Sequence, residues 1–300
     1  MRIEFAQAII EQHGSVPGQV FITGDLGYMA LEQVRQTFGT HFINAGVAEQ
    51  NMVSMAAAMA HEGFIPWVYS ISPFVTLRPY EQIRNDACLH NLPVKLVGNG
   101  GGYGYGIMGA THHNLEDIAA MRVLPNMKVY VPFTGQDVAQ AVTMMLEDKS
   151  PNYLRLNQGK DMPGLAPFAD WRCIQKGEGA VVIGTGPVVA NLLSLPPVLL
   201  EQLEIWVVGI FPVLHIPDAL IASVKRLRKV ITIEEHYAAG GLGEHIAALL
   251  LAAELATPLQ WRSLHAKGYP NGRYGSQQWH QELNGLQGEL LHNQIAAILQ

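Results

Sequence analysis

The stretch Phe42-Ile-Asn-Ala-Gly-Val-Ala-Glu-Gln-Asn-Met52 constrains this chain more than any other. An apolar run, His41-Phe42-Ile43, stops at Asn44, and Gly46 permits a tight turn. Val47, Met52, Met55, Ala56 and Met59 then recur at helical spacing through an Ala- and Met-rich segment. Strand, turn and largely buried helix are expected in direct succession. Glu49 falls in the first turn of that helix, where a charged carboxylate gains from the helix dipole and the free amides. If it is buried among apolar neighbours its pKa rises instead, and it can hold or share a proton. A lone glutamate in such a place is more often a structural cap than a chemical group, so the residue by itself leaves both roles open.

The same alternation runs along the chain. A helix is expected over Arg2 to Gln12, ended by His13-Gly14, and Val20 to Ile22 is a short strand leading into Gly24-Asp25-Leu26-Gly27. Further strands are expected at Phe64–Tyr69, Val94–Val97, Met127–Pro132 and Pro151–Leu156. Helices are expected from Pro79 through Asp86 and from Gln136 to Glu147. Beyond Lys176, strands at Ile205–Ile210 and Val230–Ile233 and a helix from Glu244 to Leu255 repeat the pattern. This predicts an α/β chain of two consecutive domains, each a mostly parallel sheet flanked by helices. Pro, Gly and charge crowd the segment after Leu156. Residues 161–175 therefore read as a linker between a first domain at 1–160 and a second at 176–300.

Composition narrows the function classes. With 49% hydrophobic and 15% charged residues the chain is long enough for two packed cores. A formal charge of -6 without any basic run argues against nucleic acid. No apolar run approaches membrane-spanning length, and the N-terminus lacks a signal peptide's apolar core, so a cytoplasmic protein is expected. Cys88 and Cys173 form neither a disulfide framework nor a metal-ligand pattern and read as buried thiols. Asp25, at a strand end, is placed either to meet a ligand or to cap a turn. The run Gly98 to Gly106 lacks the lysine and hydroxyl of a phosphate loop and is expected to be a flexible loop near the site. His112 and His113 are adjacent, and neighbouring side chains seldom converge on one metal.

Ala45-Gly-Val-Ala-Glu-Gln-Asn-Met52 resembles the cofactor signature of transketolase-type thiamine-diphosphate enzymes, in the half that holds the aminopyrimidine ring. The resemblance implies that Glu49 hydrogen-bonds a ring nitrogen and favours the imino tautomer that generates the ylid. It implies that Phe74 stacks on the aminopyrimidine, with Tyr69 and Tyr80 as rivals better suited to packing. An Asp-Leu pair after the first strand is shared with the family, which makes Asp25 a cofactor-binding candidate. Gly109-Ala-Thr-His112 matches a G-x-T-H motif whose histidine faces the reacting carbon, so His112 is a catalytic and substrate-binding candidate. His113 beside it is a substrate-binding candidate too, with packing as the alternative. Arg2 and Arg155 match family arginines that reach phosphate. Glu234-Glu-His236 and Gly240-Gly-Leu-Gly243 resemble the family's C-terminal domain.

The family's magnesium motif, G-D-G followed by Asn, has no match in the sequence, and its domain is expected on a separate chain. The resemblance therefore implies the C-terminal subunit of a split transketolase, self-associating in a heterotetramer. A separate N-terminal subunit would bind Mg2+ and the diphosphate of thiamine diphosphate. The implied reaction moves a two-carbon ketol unit from a ketose donor to an aldehyde through a carbanion on the cofactor. Sugar-phosphate transketolases keep an Asp where Met108 stands, a His aligned with Gly100 and a Ser aligned with Met29. Loss of these polar partners implies a non-standard substrate. The β subunit of a 2-oxoacid dehydrogenase or acyltransferase, and a non-catalytic stabilising partner, are the alternatives.

Overall fold

The computed structural model describes residues 1–27, 30–253, 258–270 and 272–300. Its strands, in chain order, are β1 Gln19–Thr23, β2 Phe42–Asn44, β3 Ile65–Ile71, β4 Lys95–Asn99, β5 Lys128–Tyr130 and β6 Asn152–Leu156. The second half supplies β7 Trp171–Gln175, β8 Ala180–Thr185, β9 Leu203–Val208, β10 Ile210–Phe211, β11 Lys229–Glu234 and β12 Gln260–Leu264. They form a 7-stranded sheet ordered β10-β5-β6-β4-β3-β1-β2 and a 5-stranded sheet ordered β12-β11-β8-β9-β7. Every pairing of these strands is parallel except β10 with β5 and β7 with β9. This is the two-sheet α/β architecture expected from the sequence.

Two-residue alternation sorts the side chains of the first sheet onto its two faces. Val20, Ile22, Val68 and Leu96 point to one face, against Met52, Val53 and Ala56 of the helix Glu49–His61. Phe21, Trp67, Tyr69 and Val97 point to the other, where Phe5 and Ile9 of the N-terminal helix Arg2–His13 meet Val138 and Val142. Both faces are covered, which is why these strands read as nearly unbroken apolar runs. The first of these cores continues into the second sheet through Val181, Ile183 and Val208.

Three local expectations are corrected. Trp171–Gln175, the last five residues of the segment read as linker, form an edge strand of the second sheet. The two-residue β10, from the second half, pairs with Val129 and Tyr130 at the edge of the first sheet. Both edges are capped antiparallel by chain that composition alone assigns elsewhere. Between the strand expected to end at Tyr69 and the helix expected from Pro79, a short helix forms at Ser72–Thr76, and the helix after Pro79 widens into a π-helical turn at Ile83–Cys88. The helix expected to reach Leu255 is described as Leu242–Ala252, and Leu255 itself lies outside the described residues, as does Met29.

Because β1, β2, β3 and β4 are all parallel, their C-terminal ends share one edge of the sheet. The register aligns Thr23 with Asn44 and with Tyr69, and Ile71 with Asn99. Asp25, the Gly46 turn, Ser72–Thr76 and the glycine-rich run from Gly100 all leave from that edge, where ligands of parallel α/β sheets bind.

Candidate functional site

Gly46 has φ 71°, a left-handed conformation open to glycine, and it turns the chain from β2 into the helix that begins at Glu49. Glu49 is only 5% exposed, and its Oε1 accepts a 2.9 Å hydrogen bond from Arg78 Nη1. The Arg78 guanidinium carbon also lies over Phe74, 3.6 Å from the ring centroid, in a cation–π contact. Phe74 in turn sits 5.2 Å from the His112 ring, and His112 sits 5.9 Å from Tyr105. Glu49, Arg78, Phe74, His112 and Tyr105 thus form one continuous line of side chains at the strand-end edge.

A buried polar network holds Phe74 and His112 in register. Asn114, two residues past His112, exchanges backbone hydrogen bonds with Gly102 and donates through Nδ2 to Ser72 Oγ and Thr76 Oγ1, both at 2.9 Å. Those hydroxyls belong to the helix that carries Phe74. Asp117, fully buried, contacts Ser72 and accepts from Tyr153, Arg155 Nε and its own neighbour Ile118 N. His112 itself is partly exposed, with Nδ1 3.0 Å from Thr111 Oγ1, and its Nε2 is bonded to none of the described residues, which leaves it for a ligand.

The remaining candidates divide. Asp25 is exposed at φ 54°, and its backbone N–H donates to Asn44 Oδ1 at 2.9 Å. It shares the edge with Glu49 but stands apart from the Glu49–Phe74 line. Arg2 is exposed, makes no ion pair with the described residues, and lines a 280 Å³ cavity with Asn99, Tyr105 and Gln158. Arg155 is corrected. It is 2% exposed, ion-paired to Asp117 at 2.8 Å, and donates to the Glu235 carbonyl at 2.9 Å, so it joins the two halves of the chain and does not face a substrate. His113 is corrected likewise. It is buried against Tyr103, Tyr269 and His280, its Nε2 bonds the Gly106 carbonyl, and burial pushes its pKa down to about 4. Tyr69 stacks on Phe5 in the core, and the Tyr80 hydroxyl donates to the Ala120 carbonyl, which are packing roles.

The run Gly98–Gly106 is not a loose loop. Its turns are closed by backbone hydrogen bonds, Tyr103 is fully buried, and Gly101 lies where a side chain would strike Arg155. Glu235, buried, receives Tyr103 N–H and the Gln277 and Gln281 amides, while Glu234 caps the helix Leu242–Ala252 through Leu242 N and Gly243 N. Arg78 and Tyr105 were missed by reasoning from sequence. Arg78 lies in the turn that follows the helix Ser72–Thr76, ahead of the helix expected from Pro79, and nothing in the local pattern ties it to Glu49.

These residues fit the aminopyrimidine half of a thiamine-diphosphate site. Phe74 offers a ring face, and Glu49 keeps its Oε2 free of hydrogen bonds from the described residues. Among the described residues no group of three His, Cys, Asp or Glu side chains is placed to hold a metal ion.

The chain is similar to known proteins over most of its length. The model of the transketolase pyrimidine binding domain matches residues 1–161, and that of the transketolase C-terminal domain matches residues 169–286. One subunit of the apulose-4-phosphate transketolase of Actinobacillus succinogenes is 30% identical over 79% of this chain and 77% of its own length. A protein of Methanocaldococcus jannaschii named for the C-terminal section of a transketolase is 31% identical over 83% of this chain and 81% of its own. A solved split-gene transketolase, described as an inactive β4 tetramer, superposes with a TM-score of 0.84 at 26% identity, covering 99% of this chain and 97% of the other.

Proposed function

The chain belongs to the transketolase family, carrying that family's pyrimidine-binding and C-terminal domains, and we propose that it is the C-terminal subunit of a split transketolase. The observation that carries this reading is the unbroken line from buried Glu49 through Phe74 to His112. We assign the first domain to residues 1–160 and the second to residues 171–300, which takes in the edge strand Trp171–Gln175. Thiamine diphosphate, when bound, supplies the nucleophilic carbon on which a two-carbon unit is carried.

This chain's own residues then have separable tasks. Glu49 would hold a ring nitrogen of the bound cofactor from its buried position, where one hydrogen bond is worth more than in water. Phe74 orients the ring by its face. Arg78 now lies on that face, so a ring bound there shares or displaces the guanidinium. His112, with one nitrogen turned to Thr111, presents the other to a substrate oxygen as donor or acceptor. The diphosphate and Mg2+ fall to an N-terminal partner subunit, a division supported by the relative that is itself one subunit of a transketolase and by the split-gene neighbour. Self-association into a heterotetramer with that partner follows by analogy. A non-standard acceptor is proposed because Gly100 and Met108 offer no polar side chain.

The test is turnover by the chain reconstituted with a transketolase N-terminal subunit. Transfer of a two-carbon unit from a ketose or hydroxypyruvate to an aldehyde, lost in His112→Ala, is expected. Turnover of pyruvate with a dye acceptor alone would place the protein with the 2-oxoacid dehydrogenases. Kinetics on xylulose 5-phosphate and ribose 5-phosphate equal to those of ordinary transketolases would overturn the non-standard substrate.

A further inference from the structure

The line that begins at Glu49 does not stop at His112. Beyond it stands Tyr105, and beyond Tyr105 the 280 Å³ cavity that Arg2 lines. A second cavity of 590 Å³ shares Gly104, Tyr105 and Gln158 with the first, so Tyr105 lines both. Three features of Tyr105 are unusual for a packing residue.

Its ring rests directly on Gly100, so that a β-carbon built at that glycine would collide with the ring. Gly100 has φ 74°, and a side chain at this position is therefore excluded twice, by backbone and by space. The volume above Gly100 is filled by an aromatic ring delivered from five residues later. Next, the Tyr105 oxygen accepts a 2.9 Å hydrogen bond from Asn99 Nδ2, which fixes the ring and leaves the phenol's own O–H unspent on the described residues. Burial raises its pKa, so the hydroxyl stays protonated at neutral pH and acts as a donor. Finally, Tyr105 is half-buried, next to the His112 imidazole on one side and lining a cavity with Asn157, Gln158 and Arg2 on the other.

We propose that Tyr105 is the specificity-determining residue of this site: its O–H donates to a hydroxyl of the substrate chain lying between the reacting carbon at His112 and an anionic terminus near Arg2. The substrate class is a short hydroxylated aldehyde or ketone with an anionic end, other than the pentose phosphates that the apolar positions Gly100 and Met108 argue against. This inference rests on the transketolase reading for the position of the reacting carbon, and it adds which residue reads the substrate's middle.

The experiment is a pair of probes against Tyr105→Phe, which keeps the ring on Gly100 and removes only the hydroxyl. Binding of D-erythrose 4-phosphate and of glycolaldehyde phosphate to the reconstituted complex is measured by calorimetry without donor, so no turnover is needed. Erythrose 4-phosphate carries hydroxyls between aldehyde and phosphate, and glycolaldehyde phosphate carries none. Tyr105→Phe is expected to weaken the first about two- to ten-fold, the effect of one neutral hydrogen bond, and to leave the second unchanged. Affinity for thiamine diphosphate stays as in the native complex, and in turnover the loss falls on KM and not on kcat. Equal weakening of both probes, no change in either, or no binding of either to the native complex overturns the assignment. Binding with the expected difference but without any ketol transfer would instead refute the proposed reaction while leaving Tyr105 as the reader of the cleft.

Discussion

Arg155→Met separates a structural arginine from a phosphate-binding one. The side chain is 2% exposed and its partner Asp117 is fully buried, at 2.8 Å. Removing the guanidinium leaves a buried carboxylate without its counter-charge, which costs about 3–5 kcal/mol in buried pairs. Two terms modify that figure. Asp117 keeps hydrogen bonds from Tyr153 and Ile118 N, which hold the lone charge in place and lower the cost. The Glu235 carbonyl loses its 2.9 Å donor and is left buried, adding about 1–3 kcal/mol. The two corrections oppose each other, so a loss of about 4 kcal/mol is expected. Urea unfolding of the native chain, Arg155→Met, Asp117→Leu and the double variant gives the coupling directly. The double variant should be more stable than Arg155→Met, because it removes the stranded charge. A surface ligand residue would instead shift stability by no more than about 0.5 kcal/mol and raise KM for phosphorylated substrates. A loss below about 1 kcal/mol in Arg155→Met, with a raised KM, would refute the assignment.

Two further outcomes follow from the same network. Asn114→Ala removes both hydroxyl contacts that tie the His112 loop to the Phe74 helix, and should cost about 1–3 kcal/mol and lower kcat/KM roughly ten-fold; an unchanged kcat/KM with the stability loss would show that this tie does not position the site. The pKa of His113 is held down to about 4, chiefly by burial, with His280 and His112 adding repulsion of its charge. The unfolded chain then takes up a proton between about pH 6.5 and 4 that the folded chain refuses. Stability is full above that window and falls as pH drops through it, by up to about 3 kcal/mol from this residue. His113→Gln should flatten this part of the pH–stability curve, and an unchanged slope would assign it to other groups.

Much of the fold was legible because the central strands are buried on both faces and read as unbroken apolar runs between turn residues. Glu49's helix was legible from its Met and Ala spacing, and the helix Gln136–Glu147 from its amphipathic pattern. What escaped was long-range. Nothing near Trp171 or Ile210 announces that these segments close sheet edges, since their partners are at Val208 and Tyr130. Arg155 and His113 sit in sequence positions that suggested ligands, but their fate is decided by Asp117, Glu235 and His280, which only folding brings near. The glycine-rich run suggested mobility. In the fold the missing β-carbons let its backbone press against Arg155, Glu235 and Tyr105, which is packing by absence of side chains.

The central claim is that this chain carries the pyrimidine half of a shared thiamine-diphosphate site, organised by Glu49. Its most direct test is calorimetric titration of thiamine diphosphate with Mg2+ into the chain alone, into the complex with an N-terminal subunit, and into the complex bearing Glu49→Gln. The account predicts no saturable binding by the isolated chain, saturable binding by the complex, and a loss of about 10- to 100-fold in affinity with Glu49→Gln, the effect of a charge-assisted hydrogen bond. Tight binding by the chain alone, or a complex indifferent to Glu49→Gln, would contradict it.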